Sequence, residues 1–422
     1  MRWRRRSKVP KMMIANERSL EALVSGAVSG SRVPWATILT AKALLLLVVL
    51  GSVLMTFNQS QFRSAFAHWP QTEPPTLASR FSTWDIAHYL RLSTTGYEAG
   101  SHSCAFYPLW PGAIRAAATP LGGRPLLASL LLTNALSLIG FWLLYRLVER
   151  HYGPAIGRDA LILMLAFPGA LFFSFPYSES LYLVVLMLFL WGLEKERWAW
   201  TAVSGFLLPL ARPLGVFAIL PLAWYLYERG WPWKAKPADA GANEAPAAAR
   251  WRFTWSRRSP WLLLLCPLLG YAAYFSLMYV WTGNAFEGFD AQQAYPNSPS
   301  IRNMFDVPHF TDALLNVHSL DGMMDGALDR VFFLLFLASL PLIYRLNKTW
   351  FFYALPAGLV PALTSWFMSY RRYTLMLFPM FVVLAQLLGK SRSRPLFWYY
   401  VILLAAVQAW AVKQFVNFNW AG

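Results

Sequence analysis

The sequence predicts an all-α polytopic membrane protein, and three observations predict it. Of 422 residues, 57% are hydrophobic and 14% charged, which leaves too little polar surface to coat a water-soluble globule of that size. Apolar runs of the roughly 17–25 residues that a helix needs to cross a hydrocarbon core recur along nearly the whole chain, among them 36–57 and 260–281. These runs are continuous and Leu-rich, unlike the short alternating segments of a barrel.

The first element is a basic segment, 1–35, in which Arg2, Arg4, Arg5, Arg6, Lys8 and Lys11 precede the first apolar run. That run is longer than the roughly 7–15 residues of a signal-peptide core, begins far from the start, and is followed by no small-residue cleavage site. It reads as an uncleaved span. Lys and Arg accumulate on the cytoplasmic side and each crossing flips the side, so the basic loops can be tested against one another. Spans at 36–57, 125–147, 160–175 and 180–193 place Arg146, Arg150, His151, Arg158, Lys195 and Arg197 inside. Lys234, Lys236, Arg250, Arg252 and Arg257 must also stay inside, which requires 198–227 to be two short passages meeting outside near Arg212. Pro209, Pro213 and Pro221 permit such a break. Spans at 260–281, 330–344, 350–367, 373–388 and 396–415 follow. The result is a bundle of about 11 helices, N-terminus in and C-terminus out.

This topology divides the chain into four parts. They are the segment 1–35, a module 36–228 with a helical outer loop 58–105, an Ala/Pro-rich inner linker 229–259, and a module 260–422 with an outer loop 282–327. The net charge of +17 does not indicate nucleic acid, because the basic residues flank spans and form no stripe with interleaved aromatics. Membrane lipids are the expected partners of these charges. Cys104 falls in a loop and Cys266 in a span, so neither a disulfide framework nor a thiolate metal site is expected.

Five polar segments fall at the outer boundary: 80–97, 105–111, 175–182, 211–215 and 369–373. Ionisable groups at a membrane edge, gathered in a concave site, are the default location for function. Asp85 is the sharpest of them, sharing adjacent faces of one helical turn with Trp84, His88 and Tyr89. A carboxylate among aromatics is a candidate general base; a cap, or an ion pair with Arg80 or Arg91, is the structural alternative. Glu179 opens a span without a basic neighbour in sequence, where an acid also complements the helix dipole. Arg212, Arg371 and Arg372 offer the rigid fork that suits phosphate, with snorkelling to the headgroup layer as the plainer reading. Asp321, Asp325 and Asp329 recur every fourth residue and would share one helical face. A solvated face explains that spacing better than a cation site, and no metal is expected. A transporter or flippase remains the alternative class, although such proteins place coupling acids near the midplane and show internal repeats.

The order of motifs carries a resemblance. Trp84, Asp85 and Tyr89 (WD-x-x-x-Y) are followed by Gly96 and Tyr97, and then by Phe106, Pro108 and Pro111 in an aromatic-proline element. Tyr177, Ser178, Glu179, Ser180 and Tyr182 (YSES-x-Y) and the R-x-x-G pair Arg212 and Gly215 complete the series. The series resembles the PIG-V-like mannosyltransferases, which include the second mannosyltransferase of GPI-anchor assembly and bacterial relatives within the GT-C superfamily. The resemblance implies a GT-C-like bundle, a polyprenyl-phosphate (dolichyl-type) mannose donor and an external active site. It further implies metal-independent inverting transfer without a cofactor, and a catalytic carboxylate in the first outer loop, which maps onto Asp85. Trp84, His88, Tyr89, Tyr97, Phe106, Tyr107, Tyr177 and Ser178 are then the expected substrate contacts, Asp85 and Glu179 the catalytic acids, and Arg212, Arg371 and Arg372 the donor-phosphate clamp. A short outer loop and the Ala/Pro-rich linker depart from the GPI enzymes and point to a glycan or glycolipid acceptor of a bacterial envelope. The expected location is the bacterial cytoplasmic membrane, or the endoplasmic reticulum in a eukaryote. A GT-C enzyme using another sugar is the remaining alternative.

Overall fold

A computed structural model describes residues 32–55, 68–70, 76–229 and 259–421. The basic N-terminal segment up to residue 31, the linker 230–258, and 56–67 and 71–75 of the expected outer loop lie outside the described residues. Within the described residues the chain is helical, and two isolated bridges, His68 to Thr83 and Ser319 to Gly326, stand in place of any sheet. Five helices there are long and apolar enough to cross a membrane. The protein is an all-α membrane protein.

The first long helix, α1, covers Trp35–Met55. Two short helices follow, α2 (Asp85–Thr94) within the loop expected at 58–105 and α3 (Leu109–Ala118) beyond it. Helix α4, Pro125–Ala166, joins the expected second and third spans through a single break at Gly153 (φ 83°, ψ 168°). That conformation is open essentially only to glycine, and Pro154 restarts the helix. The loop expected between 147 and 160 is therefore almost wholly helical. The third span also ends early, at Ala166, because Pro168 starts a 3-10 segment, Pro168–Phe173.

Helix α5 (Glu179–Glu194) leads to α6 (Trp198–Ala211), an extended Arg212 (φ −156°, ψ 148°), a 3-10 turn Pro213–Ala218 and α7 (Ile219–Glu228). Pro213 excludes the helical conformation from the residue before it. The chain then doubles back tightly: a Cβ on Gly215 would lie 2.1 Å from the Leu208 carbonyl carbon. The Arg229 side chain reaches Glu196 at 3.2 Å, so the passage ends at the level where it began. Residues 198–228 thus form two short helical segments that meet at Arg212.

Helix α8 (Leu265–Thr282) packs on α6, with Gly270 so close that a Cβ would meet the Phe206 carbonyl oxygen at 2.1 Å. Small residues permit such approach between membrane helices. Short helices α9 (Glu287–Gln293) and α10 (Val307–Leu315) precede α11 (Ala327–Leu346) and α12 (Lys348–Ser365). Because α11 starts at Ala327, the expected helical face of Asp321, Asp325 and Asp329 does not form. Asp321 and Asp325 sit in a turn that closes on Gly322 and Gly326, where Ser319 bonds Asp325 at 3.0 Å. The expected span 373–388 is likewise split into α13 (Tyr370–Leu375) and α14 (Phe378–Leu388), before α15 (Arg394–Val416) closes the bundle against α1.

Helix α5 is the central strut, packed on α4 and α6 and buried over most of its length. At one end His151 meets Glu194 at 2.7 Å, Arg229 meets Glu196, and the Tyr152 hydroxyl donates to the Leu346 carbonyl at 2.9 Å. At the other end stand Glu179, Arg212, Arg372 and Asp85. With a rise of about 1.5 Å per residue, the two ends of α5 are about 22 Å apart.

Candidate active site

The site is assembled where α5 begins. Glu179 occupies the first helical position after Ser178 and is 0% exposed, while the Asp85 side chain, at the start of α2, is 23% exposed. Asp85 is thus the carboxylate that reaches open space, and Glu179 is enclosed. One Glu179 oxygen, Oε1, accepts from Arg212 Nη2 at 2.6 Å and from Arg372 Nε at 2.9 Å. Arg372 also donates through Nη1 to Asp85 Oδ2, so a single guanidinium bridges the two acids. Arg212 Nε donates to Ser178 Oγ at 3.2 Å, and the Tyr89 hydroxyl donates to the same oxygen at 3.3 Å. Two positive and two negative charges balance, which makes burial of the cluster tolerable.

Aromatic faces floor the cluster. The Arg372 guanidinium lies 4.5 Å from the Tyr177 ring centre and 5.1 Å from that of Phe172, an arrangement favoured for a desolvated cation. Arg212 Nη1 and Glu179 Oε2 are buried and bond no protein atom. Two further polar contacts are therefore available at the centre.

Beyond Asp85, α2 presents His88 to a cavity of about 480 Å³ that Trp69, Arg91, Glu98 and His102 also line. His88 Nδ1 lies 2.9 Å from Ser103 Oγ, and its ring stacks on Phe106 at 4.8 Å. Burial pushes the His88 imidazole below its usual pKa; Asp85 opposes that shift, and His102 and Arg91 add to it. The Tyr89 phenol is pushed up to about 12, chiefly by burial, with Asp85 contributing.

The motifs that are scattered along the sequence meet here for local reasons. Trp84 precedes α2 in a non-helical conformation (φ 56°) and meets Trp420 edge-on at 5.4 Å. It stands outside the helical turn expected to hold it. Trp110 Nε1 donates to the Pro176 carbonyl at 3.1 Å, tying the aromatic-proline element to the start of α5. Gly215 lets the backbone fold behind Arg212. Arg80 and Arg91, the structural alternatives for Asp85, bond elsewhere: Arg80 to Asn417 at 3.1 Å and Arg91 to Glu98 at 3.0 Å.

Three expected residues are placed apart. Arg371 turns away from Arg372: it is 1% exposed, pairs with Asp321, and lies 3.5 Å from Asp329, whose Oδ1 also accepts from its backbone N–H at 2.9 Å. Of the three arginines expected together, Arg212 and Arg372 meet at Glu179 and Arg371 does not. Tyr107 stacks on Tyr274 at 4.3 Å in a separate cluster, and Tyr97 stacks on Trp281 at 4.8 Å while donating to the Phe106 carbonyl. Tyr295, with its hydroxyl 3.4 Å from His88 Nε2, and Phe172 were not foreseen. Their only signal in sequence is aromatic identity, which this chain carries everywhere. Both cysteines are free.

The fold and this cluster define a helical integral-membrane protein with a polar, charge-balanced site at one end of its bundle. A family model described as Mannosyltransferase (PIG-V) matches residues 71–229, a stretch that holds Asp85, Glu179 and Arg212. That match, over less than half of the chain, supports a mannosyltransferase of the PIG-V-like family and with it a glycosyltransferase activity. No curated protein matches the chain.

Proposed function

We propose that the protein transfers mannose, or a related hexose, from a polyprenyl-phosphate sugar to a glycan or glycolipid acceptor at the extracytoplasmic face, within a GT-C-like bundle of about 11 spans. The observation that carries this reading is the Arg372 bridge between Asp85 and Glu179, with Arg212 on the same Glu179 oxygen. The acceptor oxygen attacks the anomeric carbon and the bond from that carbon to the phosphate oxygen breaks. Asp85, the more exposed carboxylate, takes the acceptor proton. In-line displacement inverts the anomeric centre.

The departing polyprenyl phosphate gains negative charge, and Arg372 and the free Nη1 of Arg212 are the donors placed to receive it. Arrival of the donor phosphate draws Arg372 from Asp85, which releases that carboxylate to act as base. Cationic stabilisation by arginine leaves no step that needs a metal. Tyr89, Tyr177 and Ser178 hold the arginines in place, and the cavity beside His88 and Phe106 receives the acceptor.

The test is transfer from polyprenyl-phosphate mannose to membrane glycolipid acceptors by the purified protein and by Asp85→Asn. The variant should lose at least about 100-fold in rate, the lower range for a positioned general base. Wild-type transfer by Asp85→Asn removes Asp85 from that role.

A further inference from the structure

The opposite end of the bundle holds a second concave site, a cavity of about 600 Å³ built from α4, α5, α7, α11 and α12. Arg150, Arg229, Arg345 and Lys348 converge on it from four different elements. Arg229 is engaged by Glu196 at 3.2 Å, and Glu194, one of two acids in the lining, is engaged by His151 at 2.7 Å. Glu228 is the other acid. Arg150, Arg345 and Lys348 have no carboxylate in ion-pair range among the described residues, and Lys348 rests 5.5 Å from the ring centres of both Trp224 and Tyr344. Leu190, Leu193 and Trp350 supply an apolar wall.

Like charges that surround one cavity repel each other, and an anion relieves that repulsion. The bias of Lys and Arg toward one side of a membrane explains why basic residues occur at this end. It does not explain their convergence on one cavity with an apolar wall. We propose that this cavity binds a phosphate-bearing anion, and that its source is the headgroup of an anionic membrane phospholipid. Basic pockets between membrane helices at headgroup depth take such lipids. The segment that continues from Arg229 is a poor occupant by charge, because Lys234, Lys236, Arg250, Arg252, Arg257 and Arg258 outweigh Asp239 and Glu244. The site is about 22 Å along α5 from Glu179, so it is separate from the proposed donor site and independent of the transfer reaction.

The experiment is native mass spectrometry of the full chain in detergent, titrated with phosphatidylglycerol, phosphatidylcholine or inorganic phosphate. Each basic residue contributes about fivefold to binding of an anionic lipid, so Arg345→Gln/Lys348→Gln should weaken phosphatidylglycerol binding about 25-fold. Arg124→Gln, an exposed change at the other end, should leave it unchanged. Equal retention of the two phospholipids, or a double variant that binds phosphatidylglycerol as wild type does, overturns the proposal. Displacement of phosphatidylglycerol by millimolar inorganic phosphate overturns the lipid assignment in favour of a soluble anion. If the double variant is not monodisperse, the exposed Arg150→Gln replaces it, with a fivefold loss expected and no loss refuting.

Discussion

Replacing Glu179 by Gln keeps the size of the side chain and one acceptor oxygen but removes a negative charge that two arginines share. In the wild type, Oε1 accepts at 2.6 Å from Arg212 and at 2.9 Å from Arg372. The cluster then carries one uncompensated positive charge, and breaking a buried pair on one side costs about 3–5 kcal/mol. With about 2 cal/mol/K of unfolding entropy per residue, a chain of this size loses about 1.2 °C per kcal/mol, so the midpoint should fall by about 4–6 °C. Thermal loss of the monodisperse peak in size-exclusion chromatography measures this. The double variant Glu179→Gln/Arg212→Gln removes the excess charge and should recover about 1–3 kcal/mol relative to the sum of the single changes. A shift under 1 °C for Glu179→Gln, or strict additivity in the double variant, would refute the view that the charge balance of this cluster holds the site.

The remaining predictions address the elements around the cluster. Gly215→Ala pushes a Cβ to 2.1 Å from the Leu208 carbonyl carbon, and overpacking against backbone should cost about 3 kcal/mol or more; an unchanged melting midpoint would contradict the doubled-back turn. Asp329→Ala leaves Arg371 with Asp321 alone and frees the backbone N–H of Arg371, so α13 should loosen. Transfer should then fall mainly through a raised KM for the lipid donor, whereas an unchanged KM would show that Asp329 does not position Arg372. His88 is held below its usual pKa by burial, so its neutral form stabilises the fold. That stabilisation is complete above the unfolded pKa of about 6.5 and is lost as pH falls through the lower folded value. Melting midpoints should therefore drop more between pH 7.5 and pH 5 in the wild type than in His88→Asn; parallel curves would exclude His88 as the source.

Much of the fold was legible because its causes are local. The apolar helices follow from apolar run length, and the break at Arg212 follows from the prolines that flank it, whereas the single helix carried through Gly153 was not foreseen. The membership of the site was legible in part, since Asp85, Glu179, Ser178 and Arg212 carry motif spacing. The turn that breaks the Asp321–Asp325–Asp329 periodicity was not, because fourfold spacing is compatible with a helix and with a loop alike.

By itself the sequence determined that this is a helical membrane protein, that its basic and polar loops fall into two sets, and which short motifs stand out from the apolar spans. Only the tertiary structure decided which charges meet. Arg371 and Arg372 are adjacent and chemically identical, yet one is locked between Asp321 and Asp329 and the other bridges Asp85 and Glu179. Consecutive residues on a helix point about 100° apart. The left-handed turn at Trp366, Phe367 and Ser369, which sets the angle of that helix, selects which arginine faces the site.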